Sequence, residues 1–228
     1  MPILFAILLV LIIFFAPQWW VRYTFRRYKT PRADFPGTGG ELAQHLIERF
    51  ALTEVKVEQT KEGDDHYDPV AKMVRLSPSH YSIKSLTAIA VAAHEVGHAI
   101  QHHRQEPLLS LRSRLAIVAH TLQRIAAGML IALPVLTLLT RSPGLGLLML
   151  VMGITSMGSA VLLHLITLPV EIDASFNKAL PILREGNYIN AADEQAARRI
   201  LRAAALTYVA GAMASILNLW RWLALLRR

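Results

Sequence analysis

Residues 85–103 read SLTAIAVAAHEVGHAIQHH. The Ala, Leu and Ile content predicts a helix from about Ser85 to His103. Inside it, His94-Glu95-Val96-Gly97-His98 is an H-E-x-x-H sequence. Positions i and i+4 share one face of a helix, so both imidazoles can point at a single ion. Zinc suits such a pair, because it takes nitrogen ligands in tetrahedral geometry and keeps one position open for water in a catalytic site. Glu95 sits one residue on, close enough to bond that water and take its proton. The apolar lead-in LTAIAVAA buries the helix, and buried titratable groups need partners. A bare polar patch on an amphipathic helix does not meet that need.

A catalytic zinc site requires a third protein ligand. The chain has no cysteine, so thiolate sites, disulfides and Cys nucleophiles are excluded and any metal is held by His, Asp or Glu. Glu171 and Asp173, in LPVEIDASFNKAL, follow a long apolar stretch that returns the chain to the side from which the histidine helix enters it. Spacing alone does not choose between the two acids. His102 and His103 are too near the motif to complete the coordination easily. His164 reads as a buried, hydrogen-bonded histidine, and His45, His66, His80 and His120 are weaker candidates. Tyr67, Tyr81 and His66 are candidates for stabilising an oxyanion.

Further out, hydrophobic residues make up 54% of the 228 and charged residues 18%, and the mean hydropathy is +0.37. This excludes an intrinsically disordered chain. Residues 2–21 carry no charge and match the roughly 20 residues a helix needs to cross a bilayer. Trp19 and Trp20 close this stretch, and Arg22, Arg26, Arg27, Lys29 and Arg32 follow it. The charge bias places residue 22 onward in the cytoplasm. Two further apolar stretches, 125–140 and 144–168, read as a membrane hairpin, and 203–219 as a last apolar helix beginning near Asn190. The net charge of +8 belongs to the bilayer surface, and no nucleic-acid recognition motif is present. In the polar region, Glu41–Leu52 reads as a short amphipathic helix. Val55 and Val57 alternate with polar residues as in a strand. Val70–Leu76 reads as its partner across KEGDDHYDP, with an edge that a substrate could join by β-augmentation.

VAAHEVGHAIQ, PVEIDAS, DHYDP and VRLS together resemble the bacterial membrane-bound neutral zinc metallopeptidase (YugP-like) family. The resemblance runs from the N-terminal anchor through the last apolar stretch. It implies zinc-dependent peptide hydrolysis by a multi-span membrane protein. A site beside membrane helices points to protein or peptide substrates that are membrane proteins, or unfolded chains near the cytoplasmic face. The chain is also similar, more distantly, to gluzincins, whose third ligand opens an E-x-x-x-D motif. Laid on this sequence, that Glu is Glu171 and the final Asp falls on Ser175, so Asp173 is the candidate to support a histidine. The resemblance thus implies one zinc on His94, His98 and Glu171, with Glu95 as general base for the activated water.

The expected fold is mainly α: a multi-span membrane protein with a small α+β zincin-like catalytic region inserted between its first and second membrane helices. The expected organisation is an N-terminal anchor (1–22), a catalytic region (33–106), a membrane helical hairpin (115–170), and a third-ligand helix with a C-terminal membrane helix (171–228). The expected location is a bacterial inner membrane, with the site on the cytoplasmic face. The competing reading is a non-catalytic membrane scaffold or holdase with a structural zinc. Such a site has little reason to keep Glu95 between the histidines.

Overall fold

The computed structural model describes residues 12, 16, 19–140 and 143–226. The expected anchor over 2–21 therefore lies largely outside the described residues. The chain divides into two compact units, one of residues 1–109 and 169–207, the other of residues 110–168 and 208–228.

The first unit holds the polar region. Helix α1 (Gly39–Arg49) opens with a capping box: the Thr38 hydroxyl accepts from Glu41 N at 3.2 Å, and Thr38 N donates to the Glu41 carboxylate at 2.7 Å. Two of the orphan N–H groups of the first turn are thereby satisfied. Its apolar stripe buries Leu42, Ala43, Leu46 and Ile47.

Strands β1 (Lys56–Gln59), β2 (His66–Asp68) and β3 (Met73–Leu76) form a sheet of order β1-β3-β2. β1 pairs with β3 in parallel, Val57 opposite Val74, and β2 pairs with β3 antiparallel, Tyr67 opposite Val74. This corrects the expected arrangement. The strand in 70–76 is central, with a neighbour on each side, and cannot offer an edge to a substrate. The reason lies in the segment expected to be a turn, where residues 66–68 are extended and take up β3's second edge. Asp68 then closes the β2–β3 connection by accepting from the Val70 and Ala71 N–H groups at 2.9 and 3.0 Å.

A one-turn helix α2 (Pro78–Tyr81) leads to α3 (Leu86–His103), the predicted histidine helix, whose first turn is capped by the Ser85 hydroxyl accepting from Ala88 N at 3.2 Å. Nearly all of α3 is buried. It is sheathed by α1, by the sheet, and by the segment after residue 169, in one core that includes Leu46, Val74, Leu76, Val96, Leu183, Ile200 and Leu201. Gly39 serves this packing, since a Cβ there would lie 2.2 Å from the His80 carbonyl oxygen.

Helix α4 (Pro107–Thr140) is followed by α5 (Pro143–Ile172), a π-helical segment (Asp173–Ala179), α6 (Leu180–Glu185) and α7 (Ala191–Leu226). Asn190 stands at the head of α7 as expected, its side chain accepting from Asp193 N at 2.8 Å. The fold is mainly α with a small sheet, but the multi-span expectation is overturned. Among the described residues, one helix, running over 150–185, is long and apolar enough to cross a membrane. In α4, Arg112, Arg114 and Arg124 leave 125–140 as the longest uncharged run, short of the roughly 20 residues needed. In α7 the apolar part is rich in small residues and interrupted by Asn218 and Arg221.

Candidate metal centre

His94 and His98 stand one turn apart on the buried face of α3, 7% and 5% exposed. Their rings lie 4.7 Å apart at 79°. Glu171, 2% exposed, comes from the last turn of α5. One of its carboxylate oxygens, Oε2, is 3.1 Å from His94 Nε2 and 3.4 Å from His98 Nε2. The ligand atoms of the three side chains all lie within 4.8 Å of one another.

These separations suit a metal. Zinc bonds of about 2.0–2.1 Å in tetrahedral geometry put ligand atoms roughly 3.3 Å apart, and the two histidine–carboxylate distances fall on either side of that value. The donor set, two neutral imidazole nitrogens and one carboxylate oxygen, is the kind that catalytic zinc sites use. The residues present fit the ion.

Close approach of α3 to the π segment makes the site. A Cβ at Gly97 would lie 2.9 Å from the Ala174 carbonyl oxygen, so the glycine of H-E-V-G-H lets the two backbones meet. Single-turn widening of a helix into π geometry is frequent at functional sites. Here the widening covers residues 173–179, beginning two residues after Glu171.

Both imidazoles are held from behind. His94 Nδ1 is 3.1 Å from the Ser175 hydroxyl, and His98 Nδ1 is 2.8 Å from Gln101 Oε1. The Nε2 atoms are thereby turned toward Glu171. Asp173, the alternative third ligand, points elsewhere and bonds Gln101, Asn177 and Lys178. Glu95, 7% exposed, follows His94 on the same helix. Sequence reasoning had passed over Gln101 and Lys178. The only local signal for Gln101 was its place three residues after His98, where i,i+3 side chains meet.

Three of the other candidate histidines bond groups away from the site, and His120 is exposed on α4. His45 pairs with the Tyr188 hydroxyl at 2.7 Å, His80 with Asp65 at 2.8 Å, and His66 Nδ1 with the Asp64 carbonyl at 2.8 Å. In the second unit, His164 lies against Gly211, where a Cβ would come within 2.6 Å of its ring. Of the oxyanion candidates, Tyr81 packs against Gly40. Tyr67, on β2, bonds His102 Nδ1 at 2.8 Å. Burial, with the charges of Asp68 and Glu54, pushes the Tyr67 hydroxyl up to about 12, so it stays protonated at neutral pH.

Residues 3–227 match a protein family described as "Putative neutral zinc metallopeptidase". Among curated proteins, the chain is 37% identical over 215 residues to the "Putative membrane protease YugP" of Bacillus subtilis, an alignment covering 91% of this chain and 89% of that protein. No solved structure matches.

Proposed function

Because the chain belongs to the neutral zinc metallopeptidase family, we propose that it is a membrane-associated endopeptidase that holds one zinc ion on His94, His98 and Glu171. The observation that carries this reading is the meeting of those three side chains, 77 residues apart in sequence between His94 and Glu171, with their ligand atoms within 4.8 Å and Glu95 next to His94 on the same buried helix. When bound, zinc supplies Lewis-acid polarisation of a carbonyl and acidifies water.

The chain's own residues do the rest. His94 and His98 offer Nε2 lone pairs, and Glu171 contributes the anionic ligand that offsets half of the ion's charge. Glu95, buried one position past the first histidine, takes a proton from the attacking water on its carboxylate and passes it to the departing amine nitrogen. The low exposure of all four groups restricts bulk water, which strengthens each electrostatic contact in the site.

Substrates are protein or peptide chains near a bacterial cell membrane, membrane proteins included. The helix over 150–185 supports membrane association. The basic cluster from Arg22 to Arg32 supports a cytoplasmic site.

The test is metal analysis of the purified protein with a peptide-cleavage assay, using the unaltered chain and Glu95→Gln. The expected result is stoichiometric zinc in both, and turnover only in the unaltered chain, abolished by a chelator. Equal cleavage by the two would remove Glu95 from the mechanism, and cleavage unaffected by metal removal would overturn the reading.

A further inference from the structure

Gln101 is 1% exposed and lies one turn past His98 on α3. Its amide nitrogen donates to the Val170 carbonyl at 3.0 Å and to Asp173 Oδ2 at 2.7 Å. Its amide oxygen faces His98 Nδ1 at 2.8 Å. Asp173 is held in turn by the Lys178 ammonium and by Asn177 Nδ2, the latter at 2.9 Å. Lys178, 7% exposed, has a second carboxylate in Glu106, at 2.9 Å. Asp173 and Lys178 are five residues apart, the i→i+5 spacing that a π-helix brings onto one side.

This arrangement permits one orientation of the amide. Turned over, its carbonyl oxygen would meet a carbonyl oxygen and a carboxylate, both pure acceptors, and two buried contacts would become repulsive. The oxygen must therefore face His98. An amide oxygen cannot donate, so His98 Nδ1 is the donor in this contact, and Nε2 is the ring atom turned toward Glu171. His94 has no equivalent constraint, since the Ser175 hydroxyl at its Nδ1 can donate or accept.

We propose that Gln101 is a positioning residue for the metal centre. It keeps His98 Nδ1 as a donor and so holds Nε2 toward Glu171, and its own orientation is dictated by Val170 near the end of α5 and by Asp173 and Lys178 of the π segment. The inference rests on the metal-centre reading given under Proposed function. It extends that reading by tying the second histidine to a charge network on another element. A metal-bound imidazole is commonly oriented by a partner on its other nitrogen, and loss of such a partner lowers metal affinity about 10–100-fold.

The experiment uses the full chain in detergent micelles, stripped of metal and labelled with nitrogen-15 histidine. Long-range proton–nitrogen correlation reads the tautomer of each ring, with His98 assigned by its loss in His98→Gln. The expected result for the unaltered chain is a proton on Nδ1 of His98. In Gln101→Leu that preference disappears, and the zinc dissociation constant from chelator competition rises about 10–100-fold while far-UV circular dichroism stays unchanged. A His98 Nδ1 that carries no proton in the unaltered metal-free chain overturns the proposal, as does a folded Gln101→Leu that binds zinc as tightly as the parent. If Gln101→Leu does not fold, the tautomer of the unaltered chain still decides. Failure of the unaltered chain to bind zinc would sink the metal-centre reading instead.

Discussion

The Ser175 hydroxyl lies 3.1 Å from His94 Nδ1, across 81 residues of sequence. Ser175 is where the expected gluzincin-like E-x-x-x-D pattern would place its aspartate, and a neutral hydroxyl stands behind the ring there. The expectation that Asp173 supports a histidine in its stead needs correcting. Asp173 reaches His98 only through Gln101.

Ser175→Ala should therefore keep the fold and weaken zinc. A neutral hydroxyl orients an imidazole less strongly than a carboxylate, so the expected loss is at the low end of the 10–100-fold range for such partners, about 10-fold. Chelator competition on the purified variant measures it, and an unchanged dissociation constant would show that Ser175 has no hold on His94.

Glu171→Gln should remove the anionic ligand while keeping the side chain's volume. Zinc affinity should fall by more than the roughly 10–100-fold that loss of a partner behind a ligand costs. For the unaltered protein, metal removal should lower the unfolding temperature, because an ion that binds only the folded chain stabilises it by mass action. That metal-dependent shift should be absent in the variant. A thermal scan with and without added zinc reads both effects.

Gly97→Ala tests the contact between α3 and the π segment. The added methyl would sit 2.9 Å from a backbone oxygen, and a backbone neighbour cannot swing away as a flexible side chain can. Overpacking of this kind costs about 1–3 kcal/mol, and the shift should also separate His94 from Glu171. Lower thermal stability together with weaker zinc binding is the expected pair of results. A variant that loses neither would mean the two elements adjust freely.

The Asp65, His80 and Ser77 cluster behind β3 predicts an acid-dependent contribution to stability. Burial pushes the Asp65 carboxyl up, but the His80 ring and the Ser77 N–H and hydroxyl outweigh it and hold the group below the ordinary carboxylate range. A depressed carboxyl stabilises the fold above its unfolded pKa of about 3.9, and the contribution is lost as pH falls through the lower folded value. Asp65→Asn should be less stable than the parent at pH 7 by about 1–3 kcal/mol, the cost of weakening a buried polar cluster. The gap should narrow below about pH 4. Denaturant titrations at several pH values check this, and a gap independent of pH would remove Asp65 from the acid response.

Several elements were legible because their signals are local. Ser85 precedes an Ala-rich run and caps α3, and Asn190 stands at the head of α7. The amphipathic helix expected over Glu41–Leu52 runs instead over Gly39–Arg49, because the capping box of Thr38 and Glu41 starts it two residues earlier. The sheet was less legible. Its register joins β1 to β3 in parallel around an intervening β2, and short strands carry too little pattern to reveal their neighbours. The membrane reading overreached for a different reason: apolar composition alone does not distinguish a spanning helix from a shorter or interrupted one.

Within the site the same division holds. The amino-acid sequence alone determined that two imidazoles share a helix face with Glu95 between them, because the 3.6-residue repeat converts i, i+4 spacing directly into geometry. It also determined, by the lack of cysteine, that any ligand must be nitrogen or oxygen. Only the tertiary structure decided that Glu171 and not Asp173 meets the rings, and that Ser175 and Gln101 stand behind them. The contacts of Glu171 and Ser175 with His94 bridge 77 and 81 residues. They depend on how closely two helices approach at Gly97 and on a π turn that rotates Asp173 away toward Lys178, and residue spacing along the chain encodes neither.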